Sequence, residues 1–172
     1  RGGHVTSYIP ARLEEGYGLN AIAIDTLKKQ GVELIVTVDC GITANAEAAL
    51  CRQLGVDLVI TDHHECKSEL PQAAALVDPH RKDQPQPVTE MAGVGVAFKL
   101  AAAIEGDQEK LLDQYCDFLC LGTVADVMPL TGENRTMVAR GLRALANPKR
   151  VGIAALMAEC AVQKGPVTAG TI

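Results

Sequence analysis

Tryptophan is absent from this 172-residue chain, and aromatic residues make up only 3% of it. Any core must therefore be built from aliphatic side chains. With 48% hydrophobic and 22% charged residues, a globular domain of ordinary size can form. No apolar run approaches the roughly 18 residues that a membrane-spanning helix needs, and these residues show no secretory-leader pattern. No membrane partner is expected. An excess of positive charge is also missing. Sixteen Lys and Arg face 21 Asp and Glu, for a net charge of −5. That argues against a simple electrostatic nucleic-acid binder. It leaves open a nuclease whose basic groove is local or supplied by another domain. Six cysteines are present, but at irregular spacing, and Cys116 and Cys120 fall four apart in an apolar helical pattern. We read them as buried or inert thiols in a reducing cytoplasm, with Cys40 and Cys66 the two nearest to any metal-binding position. Both ends read as cuts in a longer protein. Arg1-Gly2-Gly3 resembles a loop leaving a preceding helix, there is no initiator Met, and Thr168–Ile172 closes before any element has finished.

Two segments nearly repeat. Residues 31–37 read GVELIVT and residues 55–61 read GVDLVIT, 24 positions apart, with the helix-like ITANAEAALCRQL between them. Such a strand–helix–strand unit has parallel strands. Polar residues follow each apolar run: Asp39-Cys40-Gly41 after the first, Asp62-His63-His64-Glu65 after the second. A 24-residue offset sets Asp39 opposite His63, about 5 Å apart, at the carboxyl edge where open α/β sheets bind ligands. A carboxylate beside an imidazole at that edge suggests a metal site.

His4–Ile9 alternates like a short strand, and residues 10–20 form a charged, glycine-bearing loop. Asn20 can cap a helix over about 21–30 that stops at Gly31. Strands are expected at 34–38 and 58–61, a helix over about 43–54, and a short strand at 74–77. Residues 78–89, with three prolines, read as a surface loop linking two subdomains. Beyond it the period turns helical. Residues 92–104 are apolar almost all round, which predicts a buried helix. Leu111, Tyr115, Phe118 and Leu119 define the inner face of the next, and two more helices are expected at about 133–146 and 151–160. The fold class is α/β: a parallel sheet with flanking helices over 1–77, a linker over 78–90, and a mostly helical part over 91–172.

Three stretches can carry chemistry. Asp39 precedes a glycine that allows a tight turn, and Thr43 could cap the following helix and leave backbone N–H groups as an anion cradle. Alternatively, Asp39 merely caps a turn. Thr61-Asp62-His63-His64-Glu65 is sharper, since imidazoles are common ligands and carboxylates orient them by accepting the other ring N–H. Asp126, set among apolar residues in GTVADVMPL, needs a cation, a metal or several N–H donors if buried. His4, His80 and the Gly93–Gly95 pair are best explained as incidental or as packing.

TVDCGI, TDHHE and GTVADVMPL, in that order, resemble motifs of the DHH phosphoesterase superfamily. PARLEEGYGLN, AGVGVAFKL and GENRTMVARGL resemble, more narrowly, its RecJ family of single-stranded-DNA-specific 5′→3′ exonucleases. The resemblance covers essentially the whole chain and implies a Rossmann-like DHH half and a two-metal site using Mn²⁺ or Mg²⁺. By motif, Asp39 bridges both ions, and His63 and Asp126 are ligands of one. His64 contacts the scissile phosphate or protonates the leaving oxygen, and Asp62 orients the histidines. Paired cations generate hydroxide near neutral pH and neutralise charge in phosphoryl transfer. The family's first motif, Asp-x-Asp-Gly, does not occur, nor do its later domains. The chain is therefore expected to be an incomplete catalytic region with weak or no activity, and to self-associate through surface exposed by truncation. We place Arg12 and Tyr17 on the substrate path, Arg12 pairing with phosphate and Tyr17 stacking on a base; local packing of both is the alternative. Single-stranded DNA is the expected partner and DNA repair or recombination the setting. Two other readings stay open: a DHH phosphodiesterase for short oligonucleotides or cyclic dinucleotides, and a non-catalytic scaffold in a replication complex.

Overall fold

The computed structural model of the chain describes residues 2–11, 13–83, 90–162 and 167–172. They form two compact units, Arg1–Asp78 and Pro79–Ile172.

The first unit is an α/β layer. Helix α1 (Ala21–Lys29) begins where expected, because the Asn20 side chain accepts the Ala23 N–H at 2.8 Å. Strand β1 (Leu34–Val38), helix α2 (Asn45–Gln53) and strand β2 (Asp57–Thr61) make the anticipated crossover unit, and β3 (Ala75–Val77) extends the sheet. The order is β1-β2-β3, with both pairs parallel. Ile24 and Leu27 of α1 and Ala48 and Cys51 of α2 pack with Ile35, Leu58 and Ile60 on one face of the sheet. On the opposite face Leu34, Val36 and Val38 of β1 remain exposed.

Three local expectations need correction. His4–Ile9 forms no strand. The segment is instead tied locally: the Tyr8 hydroxyl donates to Glu15, whose carboxylate also accepts the Ala11 N–H. Helix α2 starts at Asn45, two residues late, and its N-cap is Ala44 with no side-chain cap. The register also differs. Thr37 pairs with Ile60 and Val38 with Thr61, an offset of 23, so Asp39 stands next to Asp62 along the strand ends rather than opposite His63.

The second unit is helical: α3 (Gly93–Glu105), α4 (Gln108–Ala125), α5 (Gly132–Leu145) and α6 (Val151–Glu159), followed by a short 3₁₀ turn at Ala169–Thr171. Helix α3 buries Gly95, Val96, Phe98 and Ala102 but leaves Ile104 exposed, so it is covered on one side rather than all round. On α4 the inner stripe is Leu111, Leu112, Cys116, Leu119, Cys120 and Thr123. Tyr115 and Phe118 lie outside it, and their rings flank the Arg150 guanidinium at 5.3 and 4.5 Å. The stripe turns this way because α5 comes in against Cys116 and Cys120 at Gly141. A Cβ there would stand 2.2 Å from the Cys116 carbonyl oxygen and from the Cys120 Cβ. All six cysteines are free thiols. Residues 84–89 of the expected linker lie outside the described residues.

Candidate metal centre

The carboxyl ends of β1 and β2 carry the chemistry, and the chain leaves them in different ways. After β1 the backbone reverses at Asp39 (φ 64°) and Gly41 (φ 112°). A Cβ on Gly41 would sit 3.2 Å from Thr37 Oγ1 and 3.3 Å from Ile60. Only glycine accommodates both the dihedral and the gap. The Thr37 hydroxyl donates to the Cys40 carbonyl at 2.7 Å and fixes the turn. After β2 the chain enters Asp62, which is 1% exposed.

Asp62 ties the two loops together. Its Oδ2 accepts the Ile42 N–H at 2.9 Å. Its Oδ1 accepts the His63 and His64 N–H groups at 2.8 and 3.3 Å and lies 2.6 Å from His64 Nδ1. Burial pushes this carboxyl upward, but the Ile42 N–H, the His64 ring and the two histidine N–H groups outweigh that and hold it below the usual carboxylate range. The Ile42 N–H is thereby consumed by a protein carboxylate.

Asp39 and His63 meet despite the register. In an extended chain, neighbouring strand ends at this offset would point Asp39 to the side of Asp62. The left-handed turn at Asp39 swings its carboxylate to His63, with Oδ1 3.0 Å from Nε2. The His63 and His64 rings are 4.5 Å apart, centroid to centroid. Asp39, His63 and His64 can each offer one ligand atom, and these atoms all lie within 4.8 Å of one another. A carboxylate oxygen with two imidazole nitrogens suits a divalent transition ion. Donation of the His64 Nδ1–H to Asp62 would leave its Nε2 as the acceptor, the usual arrangement of a ligand histidine with a carboxylate behind it.

The remaining sequence candidates fall as follows. Tyr17 is near: its hydroxyl donates to the Asp39 carbonyl at 3.0 Å and its ring meets His64 edge-on at 6.5 Å. Arg12 lies outside the described residues. Asp126 is the C-cap of α4 in the second unit, ahead of Val127 in a left-handed conformation (φ 55°). Asn134 of α5 braces that loop, its buried amide donating to the Pro129 and Glu90 carbonyls at 3.0 and 2.7 Å. Burial, then the Asp62 and Asp39 charges, push the Cys40 thiol up. The sequence reading passed over Asp78, which is 2% exposed and leaves the end of β3 on the same sheet edge. Its signal was an acid placed directly after a short strand.

A carboxylate and imidazoles at the carboxyl edge of a parallel sheet, braced from behind by a buried acid, define an α/β protein with a candidate divalent-metal centre. The chain belongs to the DHH family: residues 1–123 match the DHH family, N-terminal domain. It is 46% identical over 153 residues to the single-stranded-DNA-specific exonuclease RecJ of Bacillus subtilis (strain 168), a match covering 89% of this chain and 19% of that protein. With RecJ of Salmonella typhimurium LT2 it shares 39% identity over 167 residues, 90% of this chain and 29% of the relative. The crystal structure of an exonuclease RecJ bound to manganese matches with a TM-score of 0.77 at 35% identity, over 94% of this chain and 41% of that one. The chain thus spans less than a third of the length of these two sequence relatives.

Proposed function

We propose that the chain is the metal-binding core of a single-stranded-DNA-specific exonuclease. With Mn²⁺ or Mg²⁺ it hydrolyses phosphodiester bonds from the 5′ end, in DNA repair and recombination in the cytoplasm. The observation that carries this reading is the convergence of Asp39, His63 and His64 in a chain 46% identical to a RecJ exonuclease. Residues 1–77 and 91–172 are the two subdomains of one catalytic region joined by 78–90.

By family motif, Asp39, His63 and Asp126 would hold the ions. Divalent cations bound by them would supply a hydroxide near neutral pH and neutralise charge on the transferring phosphoryl group. Asp62 keeps the His64 ring oriented for contact with the scissile phosphate or for protonating the leaving oxygen. Arg12 pairs with a backbone phosphate and Tyr17 stacks on a base. The chain spans less than a third of its sequence relatives, and by itself it has weak or no nuclease activity.

Calorimetric titration with Mn²⁺ tests the centre. Saturable binding to the chain that is lost in His63→Ala supports it. Equal binding by both proteins, with folding of each verified by far-UV circular dichroism, refutes it. Degradation of 5′-labelled single-stranded DNA by the longer protein, with duplex DNA spared, tests the substrate.

A further inference from the structure

We infer that the Tyr17 hydroxyl is a strap that holds Asp39 in its left-handed conformation, which makes Tyr17 a positioning residue for the carboxylate of the candidate metal centre. Asp39 is a non-glycine residue at φ 64°, a conformation that persists only where the surroundings over-determine it. The two peptide planes flanking its Cα are both anchored. Its N–H donates to the Thr61 carbonyl at 3.0 Å, fixing the plane on the β1 side. Its carbonyl accepts the Tyr17 hydroxyl at 3.0 Å, fixing the plane on the Cys40 side. The dihedrals of Asp39 are the rotation between those planes, so both anchors are needed to define them. Released from Tyr17, Asp39 can relax to the extended backbone of a strand end. The two-residue alternation of a strand then sends its side chain toward the Thr37 face, away from His63.

The loop is built to deliver the hydroxyl. Tyr17 sits between Gly16 (φ 87°) and Gly18 (φ 79°), and a Cβ on Gly18 would already touch the Cys40 Cβ at 3.5 Å. The loop therefore lies directly on the turn that it straps. Tyr17 remains 61% exposed. One side chain thus joins a solvent-facing loop to a candidate ligand.

The consequence for metal affinity rests on the reading of Asp39 as a ligand; the strap itself does not, and the test separates the two. In the metal-free chain, the Asp39 Cα and Cβ carbon-13 shifts and its amide–Hα coupling report the left-handed backbone. Tyr17→Phe, which keeps the ring and removes only the hydroxyl, is expected to erase that signature as fully as Tyr17→Leu. An unchanged Asp39 signature in Tyr17→Phe, or one lost only in Tyr17→Leu, overturns the strap. Mn²⁺ calorimetry forms the second arm, in which Tyr17→Phe is expected to bind about fivefold more weakly, the worth of one neutral hydrogen bond. Equal affinity in Tyr17→Phe and the parent chain overturns the positioning role. If the parent chain takes up no Mn²⁺, the metal reading fails while the resonance arm still decides the strap.

Discussion

Replacing Asp62 with asparagine tests how the centre is braced. The carboxylate presents two acceptor oxygens to three backbone N–H groups and one imidazole nitrogen. An amide has one acceptor oxygen and one donor nitrogen. If its oxygen faces the histidines, the Ile42 N–H meets an NH₂ group. If its oxygen faces Ile42, the His63 and His64 N–H groups do. Either orientation leaves at least one buried donor unsatisfied, at about 1–3 kcal/mol, and weakens the other bonds from charge-assisted to neutral. A total loss of about 2–4 kcal/mol follows, read by urea unfolding with far-UV circular dichroism. The pH dependence carries a second signature. The folded-state pKa of Asp62 is depressed, so its contribution is present above the unfolded carboxyl value of about 3.9 and is lost as pH falls through the lower folded value. Asp62→Asn should lack that part of the acid limb. A loss below about 0.5 kcal/mol, within the range of an ordinary surface substitution, together with an unchanged acid profile, would refute the bracing argument.

Gly41→Ala should cost about 2 kcal/mol, because the added methyl combines a left-handed dihedral with contacts at 3.2 and 3.3 Å to Thr37 and Ile60; the same urea titration measures it. Gly141→Ala should cost about 3 kcal/mol by overpacking the α4–α5 contact, where the new Cβ has 2.2 Å to its neighbours; the melting temperature of the helical unit reports it. Burial pushes the Cys120 thiol up to about 11. The folded chain therefore keeps the proton that the unfolded chain gives up from about pH 8.5. Stability should fall as pH rises from there toward about 11, and Cys120→Ala should flatten that decline in a pH series of thermal melts.

The parts of the fold that local chemistry dictates were readable. Asn20 announced α1, the twin aliphatic runs announced β1 and β2, and the acid–histidine run after β2 marked the sheet edge that matters. What was not readable depended on three-dimensional closure. The repeat spacing of 24 counts residues through a turn and a helix, whereas the ladder is fixed by hydrogen bonds between pleated strands, which chose 23. Asp39 reaches His63 only because its backbone turns left-handed, and the hydroxyl that meets its carbonyl comes from a loop 22 residues upstream. Tyr115 and Phe118 followed a helical period convincingly, yet the inner face of α4 was decided by a glycine on another helix. Cap residues and apolar runs act within a few residues; register, strain and close helix contacts do not.

The uncovered face of β1 has a consequence for colloidal behaviour. Its five residues, LIVTV, carry no charge, and Leu34, Val36 and Val38 are 51%, 44% and 55% exposed. Among the described residues, β1 pairs only with β2, so its other edge offers backbone groups to any passing strand. The charges bounding the run are Glu33 and Asp39, in the position of gatekeepers that keep such segments from stacking. Asp39 is thus both a candidate ligand and a solubility device. Neutralising it removes a repulsive end from this exposed apolar strand, so an Asp39→Ala sample should aggregate at lower concentration than a His63→Ala sample of equal metal deficiency.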